Sequence, residues 1–147
     1  MPELDFAILC EAARVADNLM YVLAGGWDTL SGEERSVQTV SVALRFLFTQ
    51  GECGRPHRIE VIVQGVDGQR LASITGIIVA EVPLAGLPAG WKVNAMTQIR
   101  FPVAFPAFGE YSIEVLVNDS SLKSLPVRFV PPPSVQRPAS RGASEQP

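Results

Sequence analysis

Seven consecutive residues, Glu52-Cys53-Gly54-Arg55-Pro56-His57-Arg58, hold the chain's single histidine, one of its two cysteines and two of its arginines. A thiol four residues from an imidazole, across a glycine and a proline, is near enough to meet it, and Glu52 is placed to orient the ring. The spacing therefore allows a Cys53 nucleophile activated by His57. Such a nucleophile also needs donors for a developing oxyanion and a pocket to hold the substrate. The neighbouring sequence announces neither, which makes a hydrogen-bonded turn histidine the plainer reading. The same density of donors gives a third: a turn needs Gly54 and Pro56 but has no structural need of two guanidiniums and an imidazole, so Arg55, His57 and Arg58 are candidates for a partner-binding surface.

Other chemistry has less to stand on. One histidine and two cysteines cannot supply the four nitrogen or sulfur ligands of a structural zinc. No calcium loop and no glycine-rich phosphate cradle occurs, so neither a metal nor a cofactor is expected. Cys10 lies in an apolar run and Cys53 in a polar turn, without a CxxC, and the two read as free thiols of a cytoplasmic protein. A disulfide between them would require export, yet Met1-Pro2-Glu3-Leu4-Asp5 carries no positive region before its short apolar run. No segment approaches the roughly 18 apolar residues of a membrane helix. Twelve basic residues against fifteen acidic ones give a net charge of -3, with no basic face, so nucleic acid is not an expected partner. A protein partner is the class left standing.

The elements that must position these residues are strands. Val40, Val42, Leu44, Phe46 and Phe48 alternate with Ser41, Ala43, Arg45 and Thr49, which predicts one core face and one largely wet face. Ile59, Val61 and Val63 alternate with Arg58, Glu60 and Gln64, and Tyr111, Ile113, Val115 and Val117 with Ser112, Glu114 and Asn118. Less regular runs at Leu4 to Cys10, Leu19 to Leu23, Leu71 to Val82, Thr97 to Phe105 and Leu122 to Val130 bring the count to seven or eight strands. Glu11 to Ala16 fits helix and strand alike. Turn residues separate the runs, and Asp67-Gly68 predicts a type I′ hairpin. Pro102 and Pro126 cannot donate ladder hydrogen bonds, which assigns their strands to edges or bulges. Leu84 to Gly90 reads as a crossover loop, with Trp91 pinning its far end to the core.

This pattern predicts an all-β fold, an antiparallel β-sandwich of immunoglobulin-like or related Greek-key type. At 47% hydrophobic and 18% charged residues, one domain over residues 1–130 has enough apolar surface for a core of its own. From Pro131 the composition turns to proline, serine and arginine, and residues 131–147 read as a disordered tail. Phe108-Gly109-Glu110-Tyr111 matches a tyrosine corner, in which the phenol ties a turn back to upstream backbone. Trp27, after Gly25-Gly26, reads as a core or rim filler.

Several stretches together resemble a bacterial family of small proteins known as a domain of unknown function: Pro2-Glu3-Leu4-Asp5-Phe6-Ala7, Gly25-Gly26-Trp27-Asp28, Arg45-Phe46-Leu47-Phe48, Arg55 to Val61, and Gly109 to Val117. The resemblance runs from about Pro2 to Val130 and implies a bacterial cytosolic sandwich, without site residues to carry over. After the Tyr111 strand, Asn118-Asp119-Ser120 stands where a glycine-containing hairpin turn is expected. The leading functional reading is a non-catalytic binding or adaptor module. A small hydrolase or thiol enzyme using Cys53 and His57, and a structural subunit assembling through edge strands, are the alternatives.

Overall fold

The computed structural model describes residues 1–84 and 87–133. The expected tail therefore lies, beyond Pro133, outside the described residues. Among the described residues ten strands follow one another: β1 (Glu3–Cys10), β2 (Ala12–Ala16), β3 (Leu19–Leu23), β4 (Thr29–Ser31), β5 (Val37–Phe48), β6 (His57–Gly65), β7 (Arg70–Ile78), β8 (Val93–Ala104), β9 (Gly109–Val117) and β10 (Ser120–Val130). All eight expected strands are present, joined by the three-residue β4 and by β2, which settles the ambiguous Glu11 to Ala16 segment as strand. A single 3-10 turn, Gln50–Glu52, is the one helical element among the described residues.

The strands form two packed sheets, β1-β5-β8 and β4-β10-β9-β6-β7, with β2 and β3 making a separate two-stranded ribbon. Pairing is antiparallel except between β4 and β10, which run parallel over Thr29–Ser31 and Arg128–Val130. The chain changes sheet between β4 and β5, between β5 and β6, between β7 and β8, and between β8 and β9, as in immunoglobulin-type sandwiches. Alternate residues of each strand meet in the middle, as a period of two requires. Phe46 and Phe48 of β5, Val61 and Val63 of β6, and Ile113 and Val115 of β9 are all fully buried there. Phe105 stacks on Phe129 with ring centroids 4.9 Å apart and takes the edge of Tyr111 at 4.8 Å.

The tyrosine corner is present. The Tyr111 hydroxyl donates to the Ala107 carbonyl at 2.5 Å and accepts from the Ala107 N–H at 3.3 Å. Gly109, at φ +146°, makes the bend that turns the phenol back. Two residues after this tyrosine, where disulfide-bearing sandwiches place a cysteine, the chain has the buried Ile113, and both cysteines are free.

Three local expectations need correction. The second face of β5 is not wet: Ser41 and Ala43 are 1% and 0% exposed. β2 lies over β5 and β8, and a Cβ at Gly25 would meet Val22 and Ile8, so the ribbon covers this face as a third layer. At Asp67-Gly68 only the glycine has positive φ, and the turn closes by Gly68 N–H to Gly65 C=O at 3.0 Å. It is a turn with a left-handed exit residue rather than type I′. The type I′ pairs are instead Asp17-Asn18 and Asn118-Asp119, each with both φ angles positive, because short Asx side chains tolerate that region without glycine. Trp91 is exposed and does not pin the crossover to the core.

The prolines sit where a missing N–H is harmless. Pro102 is on β8, an edge strand. Pro126 is on β10, which is interior in strand order but pairs with β4 only from Arg128 onward, so at Pro126 it is locally an edge. Tyr111→Phe should cost about 1 kcal/mol, the usual worth of one hydrogen bond, with the fold retained. Urea unfolding followed by circular dichroism measures it, and an unmoved midpoint would show that the corner hydroxyl contributes nothing.

Candidate functional site

The turn from Glu52 to Arg58 does not bring its chemical groups together as a catalytic set. His57 opens β6 with its ring buried against Phe48, at a centroid distance of 4.9 Å. Asn118, from the β9–β10 turn, accepts the Arg58 N–H with Oδ1 at 3.0 Å, which aims its amide N–H at His57 Nδ1, 3.1 Å away. Nδ1 is then the acceptor, and the ring proton sits on Nε2, which donates to the Glu52 carbonyl at 2.9 Å. Both ring nitrogens are used in tying two turns together. The Cys53 thiol turns to the Thr49 carbonyl at 3.4 Å. Burial, and then the nearby Glu52 charge, push that thiol above its ordinary value, so it holds little of the thiolate a nucleophile requires. The thiol-enzyme reading loses both its base and its nucleophile.

The candidate contact residues separate in the same way. Arg55 is exposed at the turn. Arg58 is exposed but shared between Glu60 at 3.0 Å and Asp119 at 3.2 Å. His57 is inside and positions the turn rather than offering a surface.

A different element carries the surface that sequence reasoning missed. In the β2–β3 ribbon, Ala12 pairs with Leu23, Arg14 with Tyr21 and Ala16 with Leu19, which puts these six residues on one face. The other face is the better covered of the two: Val22 packs toward Ile8 and Gly25, and it and Val15 remain 39% and 38% exposed. The first face therefore points away from the sandwich, and Leu19, Tyr21 and Leu23 are 57%, 56% and 62% exposed. A legible signal existed: Leu19-Met20-Tyr21-Val22-Leu23 is apolar without a break, and a two-stranded ribbon lying on a sheet can hide only one of its faces. At the ribbon's base an open cleft of about 380 Å³ is lined by Cys10, Glu11, Trp27, Thr39 and Arg100 among others, with Trp27 half-buried as a rim filler. Among the described residues no three His, Cys, Asp or Glu side chains gather as metal ligands, and no helix is long and apolar enough to cross a membrane.

Residues 5–130 match the family of unknown function DUF6941. Among solved structures, similarity extends to an alkylpurine DNA glycosylase of Pseudomonas fluorescens bound to DNA containing an abasic-site analogue. That match has a TM-score of 0.49 and 10% identity, over 87% of this chain but only 30% of that one. An immunoglobulin-like protein from Pseudomonas aeruginosa is similar over 88% of this chain and 96% of its own, with a TM-score of 0.37 and 12% identity. No curated protein sequence matches significantly.

Two measurements check the turn. His57→Ala removes a ring packed on Phe48 and leaves the Asn118 side-chain N–H and the Glu52 carbonyl without their partner, so it should cost about 3 kcal/mol of stability; a loss below about 0.5 kcal/mol would mark a surface side chain. Glu52 supplies the second. Burial alone would raise its carboxyl, but the Met1 ammonium at 2.9 Å and the Thr49 N–H and hydroxyl at 2.8 and 2.9 Å together hold it below its ordinary 4.5. A carboxylate depressed by folding stabilises above its unfolded pKa and loses that contribution as pH falls through the folded one. Glu52→Gln should be less stable than wild type at pH 7, and the difference should close as the pH is lowered beneath 4.5. A constant difference across that range would exclude the charge as its source.

Proposed function

The chain belongs to the family of unknown function DUF6941, and on that premise we propose that it is a non-catalytic protein-binding module whose contact element is the β2–β3 ribbon. The observation that carries this reading is the outward row Leu19, Tyr21 and Leu23, three large apolar side chains each more than half exposed. Contiguous exposed apolar surface on a well-packed domain marks interaction sites, and tyrosine suits a contact through its rigid ring and polar tip. Arg14, beside Tyr21 on the same face, gives the patch a polar margin of the kind interfaces have. The two free, buried thiols support placement in a reducing bacterial cytoplasm.

A second contact region at Arg55 and Arg58, positioned by His57, is favoured by the exposure of Arg55. Because Arg58 is already paired with two carboxylates, this region adds specificity to a ribbon-centred contact rather than replacing it. Photo-crosslinking in living cells tests the proposal. A photoreactive phenylalanine analogue in place of Tyr21 should yield a discrete protein adduct, while the same analogue at Val66, 86% exposed on a loop, should not. Equal labelling at both positions, or none at position 21, would overturn the ribbon as contact element. The adduct should weaken with Arg55→Ala if the arginine surface takes part.

A further inference from the structure

We propose that the ribbon's partner is a second copy of the chain, paired edge to edge through β3 about a two-fold axis at Tyr21; the inference rests on the ribbon being the contact element. β3 is the distal strand: β2 lies over β5 and β8, and among the described residues nothing pairs with the other side of β3. The remaining sheet edges carry the devices that prevent such pairing. β1 has a bulge between Leu4 and Phe6 and the charged Glu3 and Asp5, β2 carries Arg14 and lies against β5 and β8, β8 has Arg100 and Pro102, β4 is three residues long, and β7 starts at Arg70 and runs beside β8. β3 has no charge, no proline, no glycine and no bulge.

Its sequence also fits itself. Leu19-Met20-Tyr21-Val22-Leu23 has the same pattern in both directions about Tyr21. In an antiparallel pair centred there, each Leu19 faces a Leu23 and Tyr21 faces its own copy, on the side already exposed. The backbone agrees. Leu23 C=O points toward the β2 side, where it accepts the Glu11 N–H at 3.1 Å, and alternation along a strand then turns the N–H and C=O of Met20 and Val22 outward. Met20 against Val22 is the pair that a Tyr21-centred axis brings into hydrogen-bonding position, twice by symmetry. Within the strands charge is no obstacle, because Arg14, the one charged residue of β2 and β3, would stand three strand spacings from its copy. That is about 14 Å, outside the screening length of about 10 Å at 0.1 M salt. Three half-exposed side chains offer on the order of 300 Å² per copy, against roughly 800 Å² in a stable interface. The dimer is thus weak and reversible, formed at high local concentration.

The purified full chain, studied by sedimentation equilibrium up to about 1 mM to reach such weak affinities, should show a weight-average mass rising toward twice the monomer. Tyr21→Lys, which sets two charges together at the axis, should remain a monomer with an unchanged circular dichroism spectrum. Tyr21→Ser should weaken association less. In a non-hydrogen-bonded pair Cα atoms lie about 4.5 Å apart, within disulfide range, so Tyr21→Cys should form a linked dimer on mild oxidation while Val66→Cys does not. A wild type monomeric throughout, a Tyr21→Lys chain that dimerises like wild type, or equal linking of the two cysteine variants would each overturn the self-pairing. A monomeric wild type that still gives a position-21 adduct with a different protein overturns the self-pairing alone and leaves the ribbon as contact element. Loss of that adduct removes the contact element itself.

Discussion

The constraint on which the molecule turns is that β5 is hidden on both faces. From Val40 to Leu44 every residue is buried, so this strand needs a cover on each side. The inner cover is the second sheet, through β6 and β9. The outer cover is the ribbon, and the residues beneath it are those that permit one: Ala43 is small enough for a strand to approach, and Ser41 has its hydroxyl within 3.6 Å of the Cys10 thiol rather than stranded without a partner. A larger side chain at either position would lift the ribbon off the sheet. The apolar row on the ribbon's far side is a by-product of the same arrangement, since a two-stranded layer can turn only one face toward the sheet, and even that face is covered in part.

How much of this the sequence disclosed depends on how local the determining physics is. Strands β5, β6 and β9 were legible because each has a large apolar residue at every second position and faces a single core. The tyrosine corner was legible because it needs only Gly109 and Tyr111 in register. Burial of Ser41 and Ala43 was not legible, because their sizes carry no sign of a third layer, and that layer comes from Ala12–Ala16, whose alanines and valine satisfy either period. The hairpin turns failed for a related reason. Asp67-Gly68 has the composition of a type I′ turn, but the loop from Gly65 to Gln69 is longer than two residues, while Asp17-Asn18 and Asn118-Asp119 adopt that turn without glycine.

The dense chemistry of Glu52 to Arg58 has a similar lesson. Read along the chain, a thiol, an imidazole and two guanidiniums within seven residues look like a reactive set. In space the imidazole is the middle of a chain of hydrogen bonds from Asn118 through His57 to Glu52, which clamps the β5–β6 connection to the β9–β10 hairpin. Asn118, the residue that gives His57 this structural part, is distant in sequence. Its role could not be read from a local motif.

The parallel pairing of β4 with β10 has a consequence for how the chain comes into being. Thr29–Ser31 finds its partner only in Arg128–Val130, so one of the earliest strands to be made must wait for the last. Contacts this far apart in sequence raise the contact order and slow folding, because a long loop must be closed before its pairing is rewarded. During synthesis the β2–β3 and β6–β7 hairpins can form as they emerge, but Phe105 has no Phe129 to stack on until the final strand leaves the ribosome. A nascent or prematurely ended chain therefore exposes β9 as an open edge and displays its incompleteness to chaperones and proteases.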